Sequence, residues 1–367
     1  MPKKITLFLL LSFFISVSCT KETKEKQVTA VNEAPFQAIL DQKSKSYQTK
    51  RSGKEYGFGL YIKGEHLDLY VSAGLPDGNP ENIHFRGGSS TKSFISAAIF
   101  KLQQSGKLHI DDRLVDLIPG TNEPYLPNTP SYAVPYKDLI TIRQLLNHRA
   151  GIFDVTNTPI LSTVDAPYAG ENYVNYLQGV KGQLHTFTFE EMISVVAKHK
   201  LSYFVPNTAF HYSNTGYNLL AVIIRRVSGA PLHQFLQEEF HALGMKDTFF
   251  PPYSLDNVAS AMSEGNIVTT PKDLSTWAFH LYASKKVVNK QHLKEMIANI
   301  PTNEQHVIYG SGGAVPAYIS TMHYHQPTKK TYLVFSTFYN DDDFKQQADD
   351  MDAIISAAIK EVEMKSL

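Results

Sequence analysis

The sequence predicts an α/β (α+β) chain whose sheet is assembled from segments near both ends, with a largely helical stretch between them. Three observations lead there. Runs rich in β-branched and aromatic residues occur early, at 56–62 and 67–73, and again late, at 306–310, 317–325 and 331–339. Between these two groups the apolar residues recur at helical spacing. The 367 residues are 43% hydrophobic and 19% charged, which provides a sizeable core.

Taken in order, residues 1–18 read as a secretory leader. Lys3 and Lys4 precede an apolar run over 5–17, shorter than the roughly 20 residues a membrane-spanning helix needs. The run ends Ser16-Val17-Ser18-Cys19. Small residues before a cysteine suit lipidation of Cys19, whereas ordinary cleavage after Ser18 would also satisfy the small-residue rule. Lipidation is the reading adopted. Cys19 is the only cysteine in the chain, so it forms no intrachain disulfide. Residues 19–35 are polar, charged and aperiodic, a flexible tether. Residues 36–367 form one folded domain with a helical lobe over about 106–262. The expected location is the bacterial cell envelope, with the chain held to a membrane through Cys19.

Within the domain a helix follows the tether, and Gly64-Glu65 turns the first two strands into a hairpin. Residues 93–104 place Phe94, Ile95, Ala98, Ile99 and Leu102 on one face and stop at Gly106. Residues 216–228 do the same with Leu220, Ile223, Ile224 and Val227, leaving Arg225 and Arg226 outside, and end at Gly229 and Pro231. Thr270-Pro271-Lys272-Asp273 reads as a capping box with proline in the first turn. Gln326-Pro327 starts a turn between the last two strands, and 349–364 closes the chain as a helix. A cleft between sheet and helical insert is the place to look for chemistry.

The chemistry-bearing residues begin at Ser89-Ser90-Thr91-Lys92, after Gly87-Gly88. Three residues apart on a helix, Ser89 and Lys92 share a face and can touch. A hydroxyl needs a base to act as a nucleophile at neutral pH, and a lysine amine can serve where burial and nearby positive charge favour its neutral form. The helix N-terminus would aim N–H groups at a developing oxyanion. Average composition yields about one or two Ser-x-x-Lys matches in a chain this long, and 18–21 is another, so this pattern alone is equally a capping serine beside a solvated lysine. Tyr212-Ser213-Asn214 adds a phenol able to hold or pass a proton and an amide able to bind a substrate carbonyl. Tyr173-Val174-Asn175 matches the same bare pattern, so context has to decide.

That context is a resemblance. The segment Phe85-Arg86-Gly87-Gly88-Ser89-Ser90-Thr91-Lys92-Ser93-Phe94 is similar to the nucleophile segment of the β-lactamase-related serine hydrolases. These comprise class C β-lactamases, serine D-alanyl-D-alanine carboxypeptidases, D-aminopeptidases and related esterases. Further segments agree in order: Gly106-Lys107-Leu108 with Asp111-Asp112, then Ile140 through His148, Gly151-Ile152, Tyr212-Ser213-Asn214, Leu243 through Thr248, and Thr270 through Leu274. The resemblance spans about residues 55–340. It implies an antiparallel sheet with helices on its faces and a largely helical second lobe, the β-lactamase/transpeptidase-like fold. It implies a Ser89 acyl-enzyme with Lys92 and Tyr212 sharing base and acid duties, either of which could take the serine proton. Asn214 would orient substrate, and the N–H groups of Ser89 and Ala314 would form the oxyanion hole.

The chain departs from this family at the third motif. Where the family has Lys or His, then Thr, Ser or Gly, then Gly, this chain has Ser311-Gly312-Gly313, followed by Ala314. His306 would face away from Ser311 on a regular strand, so the usual carboxylate-binding cation is missing. His148 lies in the helical segment and reads as structural. His323 and His325 share a strand face without a third ligand, and read as satisfied strand residues rather than a metal site; no metal or cofactor is expected. Trp277 reads as core. With 35 basic and 35 acidic residues the chain has no excess charge for nucleic acid. The sequence thus points to a serine hydrolase of a small-molecule or peptide substrate, most simply a small ester or amide. The competing reading is a catalytically weak surface protein that binds penicillins or peptidoglycan.

Overall fold

The structure, a computed structural model, describes residues 31–50, 57–75, 82–183, 185–249, 267–297, 308–315, 318–338 and 344–365. The leader, Cys19, most of the tether and His306 lie outside the described residues. Helix α1 (Ala34–Lys50) leads to β1 (Phe58–Lys63) and β2 (Asp68–Ala73), joined where the Gly64 N–H donates to Leu67 O (2.8 Å). A short β3 (Phe85–Arg86) and a 3₁₀ turn, Gly88–Ser90, open α2 (Thr91–Gln104). The helical region follows: α3 (Ile142–Leu146), α4 (Tyr173–Lys181), α5 (Phe189–His199), α6 (Asn214–Ser228) and α7 (Leu232–Ala242). The chain returns through β4 (Val268–Thr269), α8 (Pro271–Ala278), α9 (Lys290–Ile297), β5 (Ile308–Val315), β6 (Tyr318–His325), β7 (Lys330–Ser336) and α10 (Phe344–Met364).

The main sheet is antiparallel, in the order β2-β1-β7-β6-β5. Its first two strands come from one end of the chain and its last three from the other. Both faces are covered, which explains why the strands are apolar nearly throughout rather than alternating. On β1, Phe58, Leu60 and Ile62 face a core shared with Phe36 and Leu40 of α1 and Ile354 and Ile355 of α10. Their register partners on β7 are Ser336, Val334 and Tyr332. The intervening Leu333 and Phe335 belong to the second and larger core, which includes Phe94, Phe240 and Trp277. Gly59 sits opposite Phe335, where a Cβ would come within 2.1 Å of that ring. Trp277 stacks on Phe94 at 4.0 Å, and its Nε1–H donates to Ser93 Oγ (2.9 Å), tying α8 to the start of α2.

Two local expectations differ from the structure. The third-last strand does not stop at Gly310: β5 stays paired with β6 through Gly312 and Gly313 to Val315. Glycine weakens a strand by propensity, but here it meets a steric demand set by α2. The second is the capping box at Thr270. Thr270 Oγ1 accepts from the Asp273 N–H (3.2 Å) as a cap should. The Asp273 carboxylate instead accepts from the Asp247 N–H (2.8 Å) and Thr248 Oγ1–H (2.9 Å), so the reciprocal half of the box is absent. A tertiary tie outcompetes the local one.

Candidate active site

The site forms where α2 begins, against β5 on one side and the N-terminus of α6 on the other. Gly87 N–H donates to Ile267 O (2.9 Å), and Thr91 Oγ1 accepts from the Ile267 N–H (3.1 Å), which fixes the turn ahead of α2. Gly88 has φ +51°, a conformation that favours glycine. A Cβ there would lie 2.8 Å from Ala314 N. A Cβ on Gly313 would lie 1.8 Å from Gly87 O and 2.8 Å from Ser89 N. These glycines let β5 press onto the turn, so the N–H-bearing backbones of Ser89 and Ala314 lie side by side.

Ser89 Oγ then receives two neighbours. Lys92 Nζ, one helical turn along α2, donates to it at 3.3 Å. Tyr212 Oη, 123 residues away in sequence, donates at 2.7 Å. Lys92 is 7% exposed, and its Nζ lies 4.8 Å from the Tyr212 ring centroid and 5.5 Å from that of Tyr217. Two ring faces therefore flank the ammonium of a lysine most of whose length is buried. Tyr217 Oη donates to Leu146 O (3.2 Å) and shares a hydrogen bond with Ser96 Oγ (3.0 Å); burial pushes its phenol well above the usual range.

Asn214 sits in the first turn of α6, capped by Ser213 Oγ accepting from Gly216 N–H (3.0 Å). Its side chain is 7% exposed. One N–H of the Nδ2 group is committed within the protein: it donates to Thr156 Oγ1 at 2.7 Å. The expectation drawn from the Tyr-Ser-Asn pattern thus gains a partner that the sequence did not indicate. Tyr173 and Asn175, the other match to that pattern, lie in α4, where Asn172 caps the helix by accepting from the Val174 and Asn175 N–H groups.

Positions 311 and 313 share one strand face by the two-residue period, and the register sets them beside Met322 and Ser320 of β6. Ser90 Oγ and Ser320 Oγ are 3.4 Å apart across this junction. By register, positions 309, 311, 313 and 315 of β5 share one strand face with positions 318, 320, 322 and 324 of β6, and none of these described positions is Lys, Arg or His. His323 and His325 occupy the other face, toward α10: His323 Nε2 is 3.6 Å from Asp352, and His325 Nδ1 pairs with Thr328 Oγ1 (3.1 Å). Neither His323 nor His325 replaces the missing charge. Among the described residues no group of His, Cys, Asp and Glu is arranged to hold a metal.

His148 has a larger part than its sequence position suggested. It adopts φ 54°, its Nδ1 accepts from the Ser213 N–H (3.1 Å), and its ring lies 4.5 Å from that of Tyr212. Burial, with the positive charges of Lys92 and His211, pulls its pKa down to about 3. The ring is neutral at working pH, carries its proton on Nε2 and supports the segment that delivers Tyr212. Between pH 6.5 and about 3 the unfolded chain takes up a proton that folded His148 refuses. Stability is therefore fully present above pH 6.5 and is lost as the medium acidifies toward pH 3, by up to about 3–5 kcal/mol at 1.4 kcal/mol per unit. His280, held at about 4 by burial and by Lys286 and Lys63, adds to the same slope. Denaturant melts at pH 7 and pH 4.5 should show a smaller acid loss in His148→Asn than in wild type; equal losses would refute this assignment.

Comparison with known proteins sets this geometry in a family. The beta-lactamase family profile matches residues 65–313, more than half of the chain. Penicillin-binding protein 4* of Bacillus subtilis is 31% identical over 170 residues, 46% of this chain and 30% of that protein. The chain spans less than half the length of the curated relatives it matches. In fold it is similar to the D-amino acid amidase of Ochrobactrum anthropi, with TM-score 0.67, 20% identity, and 90% of this chain and 99% of that one covered. It is similar also to a beta-lactamase/D-alanine carboxypeptidase from Yersinia pestis, with TM-score 0.62, 20% identity, and 90% and 100% covered. With the family profile matched over more than half of the chain, and Ser89 at the head of α2 inside the matched span, this chain belongs to the beta-lactamase family.

Proposed function

We propose that the protein is a serine hydrolase that works through a Ser89 acyl-enzyme on a small neutral ester or amide. The observation that carries this is Ser89 Oγ lying 2.7 Å from Tyr212 Oη and 3.3 Å from Lys92 Nζ, within the reach a base needs. Ser89 Oγ attacks the substrate carbonyl while its proton passes to Tyr212 Oη, the nearer group, which in the reactive state is a phenolate stabilised by the Lys92 ammonium and becomes a neutral phenol on taking the proton. The Ser89 and Ala314 N–H groups receive the oxyanion. The C–O or C–N bond breaks and the leaving group takes the proton from the Tyr212–Lys92 pair. Water, activated by the same pair, then releases the acid and restores Ser89. Folds related to this one include a D-amino acid amidase, which supports an amide as well as an ester.

The neutral face of β5 and β6 supports the choice of substrate. A hydrogen bond to a charged group contributes about 1.5–3 kcal/mol, so the absent cation should lower kcat/KM for carboxylate-bearing substrates by roughly 10- to 150-fold. The test labels the protein with a fluorophosphonate, locates the adduct by intact mass, and compares turnover of an aryl acetate with that of a chromogenic cephalosporin. An adduct absent from Ser89→Ala, with the ester preferred and with Ser311→Lys raising the cephalosporin value, is the expected result. An adduct without turnover would instead favour the penicillin-binding surface protein. A cephalosporin strongly preferred by wild type would overturn the neutral-substrate reading.

The same reading sets the protein in the cell envelope, tethered through a lipid on Cys19. No described helix is long and apolar enough to cross a membrane. The protein should partition with membranes, and Cys19→Ala should release it or block its processing. Recovery of wild type in the soluble fraction with an unmodified Cys19 would reject the anchor.

A further inference from the structure

Asp154 is 1% exposed and lies in the loop after α3, beside the site. Its carboxylate accepts from the Thr156 N–H (3.1 Å), Thr156 Oγ1–H (2.7 Å), Asn157 N–H (3.4 Å) and Asn157 Nδ2–H (2.9 Å). Burying a carboxylate is strongly unfavourable unless such donors surround it. A loop cap alone could explain it, but the hydrogen bonds continue beyond the loop. A threonine hydroxyl has one proton, and Thr156 gives it to Asp154. Thr156 Oγ1 can therefore only accept from Asn214, and does so from Nδ2 at 2.7 Å. The rotation of the Asn214 amide follows by elimination: its N–H₂ faces Thr156 and its carbonyl faces away. A second bond, from the Val155 N–H to Thr215 Oγ1 (3.1 Å), holds the loop to the same turn of α6.

The carbonyl so turned is buried, and Asn214 Oδ1 has no hydrogen-bond partner in the ligand-free protein. An unmet buried acceptor is costly to keep, so its presence calls for a donor that arrives. Asn214 is three residues before Tyr217 and thus on the same helix face, and Lys92 Nζ lies over the Tyr217 ring.

We propose that Asp154 and Thr156 are positioning residues that lock the Asn214 amide with its carbonyl as the group offered at the active site. This rests on the serine-hydrolase reading and adds to it that Asn214 acts there as an acceptor. Thr156→Val keeps the shape of the side chain and removes the hydroxyl that sets the amide. It is expected to lower kcat/KM for the aryl ester about 10- to 100-fold, chiefly in kcat, and to lower the melting temperature as well, because Asp154 loses a donor and Asn214 an acceptor. Thr156→Ser should restore activity to within a few-fold. The decisive comparison is the double variant with Asn214→Ala. If Thr156 acts through Asn214, Thr156→Val costs nothing further once Asn214 is gone, and Asp154→Asn should show the same coupling. Unchanged kinetics in Thr156→Val, losses that multiply independently of Asn214, or a loss that serine does not rescue would each overturn the proposal. Failure of the underlying reading is separately visible as a Ser89→Ala protein that still turns over the ester.

Discussion

Ser89→Ala, Lys92→Ala and Tyr212→Phe are each expected to lower kcat by about 10³-fold or more, and their combinations should lose little beyond the worst single variant. The reason is geometric. Ser89 Oγ is shared by Lys92 Nζ and Tyr212 Oη, so removing any member removes the only described route for the serine proton, and the others have nothing left to assist. Tyr212→Phe is the cleanest of the three. It keeps the ring that packs on His148 and under Lys92 and deletes only the oxygen 2.7 Å from the nucleophile. Its melting temperature should therefore stay near that of wild type. Steady-state kinetics on an aryl ester, with the residual rate measured against Ser89→Ala, decides the matter. Near-normal turnover by Lys92→Ala or Tyr212→Phe would refute the shared-proton mechanism, and independent multiplication of the losses would show that the residues do not act as one unit.

Gly313→Ala should be nearly as damaging through a single added methyl group. The new Cβ would lie 1.8 Å from Gly87 O, 2.7 Å from Ser90 N and 2.8 Å from Ser89 N. All three are backbone atoms in a turn held by Ile267 and Thr91, so no side chain can swing aside. Either β5 retreats or the start of α2 does, and both moves separate the two N–H groups offered to an oxyanion. Losing one such donor lowers kcat by about 10²–10³-fold, and overpacking of this kind destabilises by about 1–3 kcal/mol. Gly312→Ala meets Ser320 O at 3.0 Å and otherwise only ordinary contacts with Thr321 at 3.9–4.0 Å, and should be much milder in both measurements. Thermal melts and ester kinetics of the pair give the comparison. A Gly313→Ala enzyme with wild-type kinetics would mean that β5 does not build the oxyanion site.

The sequence by itself determined most of the elements, because those depend on short-range regularities, and with the resemblance it named the proposed reactive groups. Helix spacing is enough to put Ser89 and Lys92 within reach of each other, and apolar periodicity is enough to find α2, α6 and the sheet strands at both ends. The third-motif departure was equally legible, since a missing cation at Ser311 is a matter of residue type. Tertiary structure decided what those groups face. Tyr212 meets Ser89 across 123 residues, and only a resemblance to other proteins could link them in advance. The Gly312-Gly313 pair lies beyond the run at 306–310 that reads as a strand. It is strand interior, because the close approach of α2 rewards the absence of a side chain more than propensity penalises it. Asp273 gave up a local capping bond for Asp247 and Thr248, and Asn214 turned its amide to Thr156, 58 residues distant. Asp154 and Thr156 carry no spacing signal at all. A hydrogen bond's partner is chosen by the whole fold bringing two groups within about 3 Å, and no local pattern along the chain contains that distance.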